Sequence, residues 1–210
     1  MRSIAVLAVV ASSLLGGCIS LLPDPPPPAA IYSLRAGEVA RQAAPAKDVV
    51  IGVSEPVAPR SAAGADIVWR TGPQIAFMER AAWDGAAPDL LQDMLIDTIE
   101  RRGGARAVVR MGAGVRSDVS VQWDVLAFEV VEGEGPLEAS IALSVRLVDM
   151  RTRAITRVER FSARAPISQR SGRAAAAALE RAAGDAMVKI ADWAIANAEP
   201  PQPSAASTSR

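Results

Sequence analysis

Apolar residues recur along positions 88–102 (PDLLQDMLIDTIERR) at Leu90, Leu91, Met94, Leu95, Thr98 and Ile99, the spacing that gives a helix one apolar face. Pro88 suits a first turn, Asp89 complements the positive end of the helix dipole, and Arg101 and Arg102 complement the other end. Gly103-Gly104 stop the helix there. A second helical period runs through 171–196, with Ser171 as its N-cap. Leu179, Ala182, Ala183, Ala186, Met187, Ile190, Trp193 and Ala194 form its apolar stripe, and Arg181, Asp185, Lys189 and Asp192 line the opposite side. The alanine run at 174–178 raises helix propensity and permits close approach to a sheet.

Between the helices the period falls to two. Val119, Val121, Trp123 and Val125 alternate with Ser120, Gln122 and Asp124, as in a strand with one buried face. The phase then flips to Leu126, Phe128 and Val130, which calls for a bulge near Val125-Leu126 or for burial on both faces. Residues 133–136 (GEGP) make a turn, and 139–147 alternate again. After a turn at 149–153, the charge-rich stretch 155–163 suits a sheet edge. That is a three-strand antiparallel meander leading into the C-terminal helix. Shorter strands are expected at 31–35, 49–57, 67–70, 74–81 and 107–111. The predicted fold class is α+β, an antiparallel or mixed β-sheet with two amphipathic helices packed on it.

The ends of the chain read differently. Met1-Arg2 form a short positive segment, 4–15 (IAVLAVVASSLL) an apolar one, and Gly16-Gly17 are small, which together make the layout of a secretory signal. The apolar run is too short for a bilayer, which needs roughly 20 residues. Leu15-Gly16-Gly17-Cys18 resembles a bacterial lipobox. That resemblance implies cleavage between Gly17 and Cys18, a diacylglycerol thioether on the Cys18 thiol, and acylation of the freed amine, commonly by palmitate. Cys18 is the only cysteine of 210 residues, and it stands where the apolar segment ends. Ile19-Ser20 follow it, without the aspartate that signals inner-membrane retention in lipoproteins of this kind. The expected location is therefore the outer membrane, on its periplasmic face. Positions 18–30 form a proline-rich spacer (with LLPDPPPPAA at 21–30) inclined to polyproline II. Positions 31–198 are expected to be one folded domain, and 199–210 (EPPQPSAASTSR) a disordered tail.

Composition removes most chemistry. With no histidine, neither a Ser-His-Asp nor a Cys-His nucleophile is available, nor any histidine metal site, and one cysteine cannot close a disulfide within the chain. The 23 basic residues equal the 23 acidic ones, and aromatics are 4%, so no field or stacking platform favours nucleic acid. Gly52-Val-Ser54-Glu-Pro56 resembles a nucleophile elbow only superficially, since proline replaces the second glycine. Lys47 and Lys189, the only lysines, are candidate bases for Ser54 but sit in no motif. Gly112-Ala-Gly114 is a loop, the acidic residues lack calcium-loop spacing, and Trp69, Trp83, Trp123 and Trp193 are expected in the core. The expectation is a non-enzyme, with no catalytic residue, no metal and no cofactor other than covalent lipid on Cys18.

One family resemblance gathers these features. A lipobox, a proline-rich spacer and Ile31-Tyr-Ser-Leu34 are followed by Val49-Val-Ile-Gly-Val53 and Pro56-Val57. Then come Ile67-Val-Trp-Arg70, Ile75-Ala-Phe77 and Trp83, with a helix beginning near Pro88. This succession resembles the ABC-type transport auxiliary lipoproteins of the paraquat-inducible protein C type. The chain departs from the family at 61–64 (SAAG) and at Asp84-Gly85. The resemblance implies a periplasmic lipoprotein that works with an ABC permease and ATPase and an MCE-domain protein in intermembrane lipid transport. Its part would be to dock the MCE assembly to the outer membrane. The alternative is a structural or regulatory envelope lipoprotein, such as a cell-wall synthase activator or an outer-membrane assembly factor.

Overall fold

The computed structural model describes residues 28–199. Gly17, Cys18, most of the spacer and nearly all of the tail lie outside the described residues.

The spine of the molecule is β6 (Val119–Glu132), the longest strand. Along one edge it pairs antiparallel with β7 (Glu138–Asp149), which pairs in turn with β8 (Ala154–Pro166), giving the expected meander with β8 at the edge. Its other edge is shared end to end. β2 (Lys47–Val53) runs parallel to the first part of β6, from Ile51 opposite Val119 to Val53 opposite Val121. A single bridge, Val57 to Asp124, continues the line. β3 (Asp66–Thr71) then takes the far part, from Trp69 opposite Val130 to Thr71 opposite Glu132. Each of these strands carries its own neighbours outward: β5 (Ala105–Arg110) beside β2, and β4 (Gln74–Trp83) beside β3. β1 (Ala30–Tyr32) closes the second arm, parallel to β4. The sheet is therefore one eight-stranded mixed surface that forks beyond β6.

The phase flip in β6 is a bulge. Val125 pairs with Leu143 and Ala127 with Ala142, so Leu126 is the extra residue, half exposed, and the buried series passes from Val121, Trp123 and Val125 to Phe128 and Val130. Helix α1 (Ala87–Arg102) packs against β2 and β5, helix α2 (Gly172–Asn197) against β4, β6, β7 and β8, and the two helices pack on each other. One apolar core joins them to the sheet. On α1, Leu91, Met94, Leu95, Thr98 and Ile99 are buried as expected, but Leu90 is only half-buried. The polar Gln92 takes a buried place, because its amide donates to the Val53 carbonyl (2.9 Å) and its oxygen accepts from Arg110. Ser171 caps α2, its hydroxyl accepting from the Ala174 amide (3.3 Å).

Glycine allows a close contact between α2 and the sheet. A Cβ on Gly172 would sit 2.8 Å from the Ala81 Cβ and 3.3 Å from the Tyr32 hydroxyl, so any side chain there would push the helix off β4. Trp83, Trp123 and Trp69 are buried, while Trp193 is half-buried and meets Phe161 edge-on at 5.6 Å.

Candidate functional site

The feature that singles out one end of this molecule is where the spacer joins the fold. β1 is only three residues long, yet it is pinned from several sides. It pairs with Ala81, Ala82 and Trp83 of β4, and the Tyr32 carbonyl accepts from the Asp84 amide (2.9 Å). Leu34, just beyond, is buried. Whatever is attached upstream of Ala30 is thus connected straight into the sheet.

From Leu34 the chain crosses the helices as a strap before entering β2. The Arg35 amide donates to Glu180 (3.2 Å), Arg102 donates to the Ala40 carbonyl (2.7 Å), and the Gln42 side chain donates to Asp192 (3.1 Å). Arg102 also grips Asp192 with two nitrogens (2.5 and 2.8 Å), tying α1 to α2. That guanidinium holds the Asp192 carboxyl below the usual carboxylate range; partial burial opposes the shift and Gln42 assists it. Lys47 ends the strap. Its ammonium donates to the Ala196 and Ala198 carbonyls (2.7 and 3.0 Å), a positive charge set on the free carbonyls at the C-terminus of α2. Sequence reasoning placed Lys47 only as the residue before a strand, because its partners lie about 150 positions away.

Two concavities flank this region. A cleft of about 420 Å³ lies between the strap and the helices, lined by Arg35, Glu38, Thr98, Glu180, Arg181 and Asp185 among others. Its walls carry both signs of charge. The second, about 430 Å³, is a more open shelf on the β3–β4 arm, lined by Trp69, Ala76, Phe77, Met78, Glu79 and Arg170. The Arg170 guanidinium lies 5.2 Å above the Trp69 ring and is ion-paired with Glu132, whose other oxygen accepts from the Trp69 indole N–H (2.9 Å). Phe77 (52%) and Ile75 (41%) are the large apolar side chains that β4 leaves exposed.

The residues weighed as chemistry are committed elsewhere. The Ser54 hydroxyl donates to the Val121 carbonyl (3.2 Å), and Lys189 donates to the Ser162 carbonyl (3.3 Å). With Lys47 on the end of α2, neither lysine is directed to Ser54. Among the described residues no three acidic or thiol groups come together as a metal site. Gly112 (φ 90°) and Gly114 (φ 77°) lie in the loop between β5 and β6. No described helix is long and apolar enough to cross a membrane.

Residues 32–191 match the family model of the ABC-type transport auxiliary lipoprotein component. The chain belongs to this family. The match runs from the last residue of β1 into the last turns of α2, so the strap, both helices and β2 to β8 are features of an auxiliary lipoprotein domain. Among solved structures, protein XCC0632 from Xanthomonas campestris is similar at 26% identity and a TM-score of 0.75, over 80% of this chain and 95% of that one. An uncharacterized protein shares the fold alone, at 14% identity and a TM-score of 0.62, over 79% and 98% of the two chains. Among curated proteins none matches in sequence. Membership places the protein with the accessory lipoproteins of ABC-type transport, a class named for transport rather than for a reaction.

Proposed function

We propose that the mature protein is anchored by lipid on Cys18 to the periplasmic face of the outer membrane, as an auxiliary component of an ABC/MCE-type intermembrane lipid transport system. In this role the domain docks the periplasmic MCE-domain assembly to the outer membrane and helps maintain its integrity. The observation that carries the reading is the family match across 32–191. The lipobox at Leu15-Gly16-Gly17-Cys18 supplies the anchor, and the spacer supplies distance between lipid and domain. Docking is assigned to the folded domain, whose surface offers the two concavities described above.

Crosslinking in intact cells, followed by identification of the captured proteins, tests this directly. The expected partner is an MCE-domain protein, and a soluble domain lacking Cys18 should bind the same partner in solution. Capture of a cell-wall synthase or an outer-membrane assembly machine instead would move the protein to the regulatory alternative.

A further inference from the structure

We infer that residues 30–46, β1 together with the strap, form a clasp that opens as one unit from a core that stays folded. Opening lengthens the connection into the domain without unfolding the domain. Burial is the first ground for this. Between Ala30 and Asp48 only Leu34 is buried, whereas Val49 to Val53 all are. The clasp is otherwise held by hydrogen bonds, and those from the Arg35 amide to Glu180 and from Arg102 to the Ala40 carbonyl lie at exposed positions. The Gln42 amide adds one more, to the Arg102 carbonyl (2.8 Å). Segments with few buried apolar contacts and exposed hydrogen bonds open ahead of the rest of a structure.

The two ends of the clasp are unequal. Among the described residues β1 is bonded on one side only, to the last three residues of β4. β2, into which the strap runs, is bonded on both sides, to β5 and to β6. Lys47 is fixed at its entrance, with its amide on the Gly104 carbonyl (2.9 Å) and its ammonium on the end of α2. Opening that begins at Ala30 therefore stops at Lys47. What the clasp leaves behind is complete. Arg102 and Asp192 join α1 to α2 with two bonds of their own, and the strap only adds the Ala40 carbonyl and the Gln42 side chain to that pair. The released segment spans at most about 6 nm, at roughly 3.5 Å per residue. That this reserve of length serves the cell rests on the lipid-anchored role proposed above; the order of opening does not.

Native-state hydrogen exchange on the chain from Cys18 to Arg210 tests this, whether or not Cys18 carries lipid. Two amides report on the clasp from its two parts. Gln42 donates to Arg102 within the strap, and Asp84 donates to the Tyr32 carbonyl beside β1. Both should exchange at least about tenfold faster than the paired amides of β6 and β7, through an opening that denaturant accelerates little. The double variant Gln42→Ala, Glu180→Ala removes two side chains that hold the strap and leaves the Arg102–Asp192 pair in place. It should speed exchange at Asp84 several-fold, although neither substitution touches β1, and leave β6 unchanged. Exchange at Gln42 and Asp84 only as fast as in β6 of the natural chain would overturn the inference, since the clasp would then open only with the whole fold. An Asp84 rate indifferent to the double variant would also overturn it, since β1 and the strap would then not be one unit.

Discussion

Asp192 sits where three segments meet, accepting from Arg102 of α1 and Gln42 of the strap while belonging to α2. Because its folded carboxyl is held below the ordinary range, it stabilises the fold above about pH 4, and that contribution is lost as pH falls through the depressed value. The side chain is 40% exposed, so solvent screening keeps the effect small, on the order of 1 kcal/mol or less. Asp192→Asn should therefore lower Tm slightly at pH 7 and reduce the acid-induced drop, a difference that thermal melts between pH 3 and 7 (roughly the carboxylate range) would resolve. In the proposed role, Cys18 bears on targeting rather than folding. Cys18→Ala should leave the precursor unacylated and uncleaved or misrouted, which metabolic palmitate labelling and membrane fractionation would reveal. Gly104 carries a different kind of constraint. It has φ 93°, and a Cβ there would come within 2.8 Å of the Ile195 side chain, so Gly104→Ala should cost about 1–3 kcal/mol in chemical denaturation.

Local periodicity goes a long way with the helices and the meander. The apolar stripe of α1, the Ser171 cap and the switch of phase after Val125 are all patterns within one segment, and the structure realises each of them. Leu95 is fully buried in the middle of α1. Leu95→Asp should accordingly unfold the domain, because an unpaired charge buried there costs several kcal/mol, comparable with a domain's whole stability. Loss of the cooperative melt and of near-ultraviolet circular dichroism would report it. What periodicity cannot supply is partnership. Nothing within 49–57 or 67–70 says that β2 and β3 lie end to end along one edge of β6, or that β1 runs parallel to β4. The strap escapes for a related reason. Residues 35–46 have no apolar period, and they are held by hydrogen bonds to α1 and α2, far away in sequence. The expected strand at 31–35 stops at Tyr32, since the chain turns onto the helices there. The aromatic shelf was equally hidden, because Trp69 and Phe77 look like ordinary strand residues until the free edge of β4 is known.

In the proposed role, the spacer separates the lipid anchor from the folded domain, and their joint engagement depends on its length. Positions 23–28 supply roughly 19 Å of the spacer's reach at polyproline spacing. Deleting Pro23 to Pro28 should leave folding and lipidation intact. It should weaken in-cell capture of the MCE partner and raise permeability to detergents, because lipid and docking surface can no longer be engaged together. Wild-type capture and permeability in that deletion would show that spacer length is immaterial.

The parallel seating of β1 also decides how the domain bears mechanical load. In the proposed role, tension on the spacer reaches the domain at Ala30, and the parallel pairing aims that end of the chain back along β4. In that direction the β1–β4 bonds at Ala30, Ile31 and Tyr32 lie across the line of tension and are strained together, in shear. An antiparallel β1 would be unzipped one bond at a time by the same drag. Rupture under force follows the unfolding barrier rather than the equilibrium stability. Three residues in shear, backed by the close contact of Gly172 with Ala81, make a short strand serve as a mooring.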